Sequence, residues 1–73
     1  MTLVSSKKLL KDAQKGGYAV GAFNAENMEM VQAVVAAAEA KRSPVIIQTT
    51  PGTLKYADTD MFAAMAQAAA ENA

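Results

Sequence analysis

The chain contains no cysteine, no histidine and no tryptophan, and only two prolines among its 73 residues. Without cysteine there is no disulfide, no thiolate zinc site and no cysteine nucleophile. Without histidine the commonest metal ligand and the commonest general base are both missing. Two Phe and two Tyr are the only aromatics, so few large side chains are on hand to fill a core. No charge of one sign dominates: seven Lys plus Arg stand against seven Asp plus Glu, a formal net charge of zero. A strong nucleic-acid binder needs a basic face to displace counterions, so nucleic acid is not an expected partner. No run approaches the roughly 18 apolar residues of a membrane helix, so neither is a membrane. Met1-Thr2-Leu3-Val4 reaches Lys7 and Lys8 at once. A secretory signal places its basic residues before a longer apolar run, the reverse order. The expectation is a cytoplasmic protein with its natural N-terminus intact.

What is present is apolar. Hydrophobic residues make up 52% and charged residues 19%, a globular composition rather than a disordered one. Much of the apolar fraction is alanine, whose methyl group buries little area. Below roughly 70–80 residues one hydrophobic core seldom supplies more than about 3–5 kcal/mol. Small chains recover the deficit with disulfides, metals or partner subunits. The composition therefore predicts a piece of a larger body, or an obligate assembly.

Apolar spacing and breakers divide the chain into five predicted elements. Ser5 and Ser6 can cap a helix over 6–15, with Leu9, Leu10 and Ala13 on one side and Gly16-Gly17 as its stop. The uncharged run Tyr18 to Phe23 reads as a strand over 18–23, buried on both faces. After the polar turn Asn24-Ala25-Glu26-Asn27, a helix is predicted over 28–42, with Met30, Val31, Val34, Val35 and Ala38 forming one stripe. Glu29 and Lys41-Arg42 lie at the ends that favour their charges. Pro44 disfavours helical geometry at Ser43. The β-branched run from Val45 predicts a strand over 45–49, followed by a turn at Thr50-Pro51-Gly52-Thr53. A last helix is predicted over 60–72, with Phe62, Met65, Ala66 and Ala69 on its apolar face. Two uncharged strands joined by a helix make a right-handed βαβ unit with parallel strands. Two parallel strands leave open apolar edges, so the parent fold must supply more.

In parallel α/β folds ligands bind at the carboxyl ends of the strands. The two loops there are Asn24-Ala25-Glu26-Asn27 and Thr50-Pro51-Gly52-Thr53. A Thr hydroxyl with adjacent amides can hold a phosphate oxygen, and an Asn amide can orient a hydroxyl. On spacing alone the plainer reading gives Asn24, Asn27 and Thr50 ordinary capping and turn work. Gly16, Gly17 and Gly21 precede the strand and are no dinucleotide fingerprint. Met28, Met30, Met61 and Met65 read as core packing, and Lys7, Lys8, Lys11 and Lys15 as a solvated face.

The strings Gly17-Tyr18-Ala19-Val20-Gly21-Ala22-Phe23-Asn24, Asn27 to Ala33, Arg42-Ser43-Pro44-Val45-Ile46-Ile47-Gln48 and Thr50-Pro51-Gly52-Thr53 run in this order. Together they resemble the N-terminal part of the class II fructose-bisphosphate and tagatose-bisphosphate aldolases, over essentially the whole chain. The resemblance implies an α/β fold: the first two βα units, plus the preceding helix, of a (βα)8 TIM barrel. Residues 1–73 would then be the N-terminal fragment of a single barrel domain. It further implies a carbon–carbon lyase, cytoplasmic and homo-oligomeric as the full-length protein, in carbohydrate metabolism. The family cleaves a ketose bisphosphate to dihydroxyacetone phosphate and a phosphorylated aldehyde with the help of a divalent metal, typically zinc. Carried over by position, the hydroxyl residue that meets the aldehyde-phosphate half of the substrate falls on Thr50, where many members have Ser. The Asn that lines the same pocket falls on Asn24. The catalytic Asp and the metal ligands of the family fall beyond Ala73, so this chain has no catalytic or metal residue and is expected to be inactive by itself. The alternative expectation is a non-catalytic, self-associating quarter-barrel module.

Overall fold

A computed structural model describes residues 3–72, with the side chains of 56 and 57 left out of the description. Residues 1, 2 and 73, the ends of the unit expected over 1–73, lie outside the described residues. The chain is an α/β mix of four helices and two parallel strands among the described residues. Helix α1 runs over Ser6–Gly16. Ser5 caps it by accepting from the Lys7 amide at 3.3 Å. Gly17 ends it at φ 71°, a left-handed geometry that glycine adopts without cost from a Cβ.

Strand β1 covers Gly21–Asn24, instead of the expected 18–23. The reason lies in its partner. Strand β2 covers Val45–Gln48 and pairs in parallel, with Gly21 opposite Val45 and Asn24 opposite Gln48. Continuing the register backwards would set residues 18–20 against Arg42, Ser43 and Pro44. Arg42 is left-handed at φ 49°, and Pro44 has no amide to donate, so no ladder forms there. At the other end the Ala25 amide donates to the Gln48 carbonyl at 3.0 Å and the chains part, so Thr49 is not part of the expected 45–49 strand.

Helix α2 spans Met28–Ala40 rather than 28–42. Asn27 caps its start, accepting from the Met30 amide at 2.8 Å. Its end is set by Arg42, whose left-handed backbone lets the Ser43 amide reach back to the Ala38 carbonyl at 2.9 Å. The segment expected as a plain turn at 50–53 is the start of a further helix, α3, over Pro51–Ala57. Thr50 is its cap and Pro51 opens its first turn, where a missing amide costs nothing. Helix α4 covers Thr59–Glu71, one residue earlier at both ends than the expected 60–72. Asp58, at φ 67°, turns the chain and caps α4 through the Asp60 amide at 2.9 Å.

Helix α2 packs on β2, and α4 packs against α2 and α3. Ala25, Val31 and Phe62 form the buried cluster, with Ile47, Leu54, Met65 and Ala69 against it. Along a strand successive side chains alternate between faces. Ile47 and its register partner Phe23 therefore point to the helix side, where Phe23 lines a groove with Ala33, Val34 and Ala37 of α2. Ala22, Asn24, Ile46 and Gln48 point the other way. Phe23 is still 53% exposed, and on the opposite face Ile46 shares a groove with Leu3, Val4 and Leu9. Burial on both faces, expected for strand one, is thus not seen within this chain. No helix among the described residues is long and apolar enough to cross a membrane.

One buried hydroxyl stands out in the helix layer. Thr49 Oγ1 has no hydrogen-bond partner among the described residues. An unpaired buried hydroxyl costs about 1–3 kcal/mol, and valine has the same shape without it. Thr49→Val should leave stability equal or raise it by about 1 kcal/mol. A lower urea midpoint for this variant would show that the hydroxyl is bonded in solution.

Candidate functional site

The carboxyl ends of β1 and β2 bring two loops side by side. Asn24 closes β1, and its register partner Gln48 closes β2. The two side chains share the face opposite α2 and are joined: Gln48 Nε2 donates to Asn24 Oδ1 at 2.8 Å. That bond occupies one of the two lone pairs of the Asn24 carbonyl and leaves the amino group unused by it. Asn27 does capping work at α2, as the plainer sequence reading has it.

In the second loop, Thr50 faces solvent and caps α3. Its Oγ1 accepts from the Thr53 amide at 3.3 Å and lies 3.1 Å from Thr53 Oγ1. Thr53 is the buried polar side chain of the loop, 6% exposed. Between the loops lies a small polar pocket lined by Glu26, Asn27, Gly52 and Thr53. Asn24 and Thr50 thus stand at the ends of neighbouring strands, and no hydrogen bond joins them directly. A larger groove of about 710 Å³, with Leu3, Val4, Leu9, Pro44 and Ile46 in its walls, sits at the amino-terminal end of β2. It is apolar and lies away from both loops.

Sequence reasoning did not single out Gln48 or Thr53. The signal for Gln48 is register: with parallel strands of equal length, a polar residue closing one meets the polar residue closing the other. The signal for Thr53 is its position three residues after a capping hydroxyl, the place where a cap finds its donor.

No group of three or more His, Cys, Asp or Glu among the described residues can hold a metal ion. The zinc that the resemblance implies therefore has no fitting ligand set among the described residues, and none of the chemistry here is routed through it.

The family model for class-II fructose-bisphosphate aldolase matches residues 4–73. The chain belongs to that family. Fructose-bisphosphate aldolase of Streptococcus pyogenes serotype M3 is 54% identical over 56 residues, covering 77% of this chain and 19% of the relative. The same-named protein of serotype M1 is 52% identical over the same length. The chain spans only 19% of the length of these relatives. In this family segment, the polar side chains gather at the carboxyl ends of β1 and β2 and in the loops that follow them.

Proposed function

We propose that this chain supplies the opening βα units of a (βα)8 aldolase barrel. The whole protein is read as a class II ketose-bisphosphate aldolase. It cleaves fructose or tagatose 1,6-bisphosphate to dihydroxyacetone phosphate and glyceraldehyde 3-phosphate, with zinc as its metal. The carrying observation is the family match across residues 4–73. The geometry agrees in kind: parallel strands, a helix packed on the sheet, and polar side chains at the carboxyl ends, where barrel enzymes bind substrate.

On this reading Thr50 donates to the phosphate on the aldehyde half of the substrate. Asn24, its carbonyl held by Gln48, offers its amino group to the same half. The metal ligands and the acid–base residue belong to the part of the protein outside this segment. The same reading takes the whole enzyme as cytoplasmic and homo-oligomeric.

The test uses the full-length protein. Thr50→Ala should lower kcat/KM for fructose 1,6-bisphosphate about tenfold, the effect of one hydrogen bond to a charged group. Metal content should stay at the parent level, and Thr50→Ser should recover activity. Loss of zinc in Thr50→Ala, or unchanged kinetics, would assign Thr50 to the fold alone.

A further inference from the structure

Helix α3 carries an energetic cost at each end. At its far end Asp58 is the single residue between α3 and α4, with φ 67° and ψ 144°. Glycine reaches that pair of angles freely, whereas a Cβ makes it costly. Three hydrogen bonds hold Asp58 there. Its amide donates to the Leu54 carbonyl at 2.9 Å, its carbonyl accepts from the Phe62 amide at 3.1 Å, and its Oδ1 accepts from the Asp60 amide at 2.9 Å. At the near end Thr49 Oγ1 is buried with no hydrogen-bond partner among the described residues. Such a hydroxyl has given up water and gained no bond in return. Between these two points α3 has seven residues, fewer than the ~12–15 that an isolated helix needs. It persists by docking. Thr53 is 6% exposed, and Leu54 rests on the cluster of Ala25, Val31 and Phe62. The helix that α3 packs against is α4.

We propose that α3 is a spring-loaded flap: it opens as a unit from the carboxyl end of β2, and the costs at Thr49 and Asp58 bias it toward opening. When α3 swings away, water reaches the Thr49 hydroxyl and Asp58 relaxes to negative φ. Both costs are relieved together. The burial of Thr53 and Leu54 opposes them and keeps the flap shut. Its position gives the motion a consequence. Gly52 and Thr53 form one wall of the small polar pocket, and Glu26 and Asn27 form the other. Opening moves the first wall while the second stays at the capped start of α2. Neither Thr49 nor Asp58 lines that pocket, so the bias is a property of the fold and independent of the substrate.

Amide hydrogen exchange on the full-length protein tests this. In the parent, the Leu54 and Asp58 amides of α3 should exchange faster than the Val35 amide of α2, through an opening smaller than global unfolding. Thr49→Val removes the orphaned hydroxyl and should slow α3 exchange about fivefold. Asp58→Gly relieves the backbone at little loss of capping and should slow it about threefold. Asp58→Ala keeps the strain and loses the cap, so it should speed exchange about fivefold. Leu54→Ala, which weakens docking, should speed it about tenfold or more. Parent α3 amides that exchange no faster than Val35 would mean there is no separate flap. Slower exchange at Val35 with α3 unchanged, in either Thr49→Val or Asp58→Gly, would mean that opening does not relieve that cost, and the proposal falls. Failure of either variant to fold would overturn it too, since each is expected to stabilise the closed form.

Discussion

Phe62→Ala should lower the unfolding free energy of the full-length protein by about 3–5 kcal/mol, the cost of removing a buried ring and leaving a cavity. Phe62 sits in the first turn of α4, 7% exposed, against Ala25 and Val31. Ala25 is fully buried and Val31 is 1% exposed. Both are too small to move in and fill the space. Helices α2 and α4 meet there, and Ile47 of β2 rests on the same cluster. The ring therefore joins the crossover helix, the following helix and the second strand at one point. Leu54, Met65 and Ile47 touch the cluster from its rim, and they can fill only part of the space a ring leaves. Phe62→Leu, which keeps most of the volume, should cost less than about half as much. Urea unfolding followed by circular dichroism measures both. A Phe62→Ala midpoint equal to that of the parent would mean that the cluster is not the core.

The second large effect is a complete one. The 73-residue chain supplied with zinc should show no cleavage of fructose 1,6-bisphosphate above a zinc-only control. A Lewis-acid aldol reaction needs a held metal and a base near the departing proton. The sequence contains neither histidine nor cysteine. Its acidic side chains form no group of three able to hold a metal among the described residues. Thr50 and Asn24 can bind and orient, but neither can act as a base near neutral pH. Adding the remainder of the protein as a separate chain should bring activity back if the two parts associate. Turnover by the short chain alone would place a reactive group within these residues and contradict the assignment.

Much of the organisation was legible in the residues themselves. The stripe from Met30 to Ala38 and the β-branched run from Val45 announce a helix and a strand. Ser5, Gly17 and Asn27 mark helix ends through local capping bonds. Helix α3 reads as a turn in the sequence because proline and glycine look like turn residues in isolation. Thr50 followed by Pro51 is equally the start of a helix, and the next four residues decide between the two. Strand β1 begins three residues later than its apolar run predicts. Its apolar run continues back to Tyr18, but a strand exists only where a partner can bond, and Arg42 and Pro44 deny it one there.

The alternation of helices and strands, the parallel crossover and the family can all be read along the chain. Periodicity, capping and characteristic strings act between near neighbours along the chain. Only the tertiary structure decided which residues share the site. Gln48 reaches Asn24 from 24 positions away because the register sets both at the ends of adjoining strands. Thr53 meets Thr50 because α3 turns its hydroxyl inward. Pairings across strands, and the direction a helix turns its side chains, follow from packing, and packing is a property of the folded body.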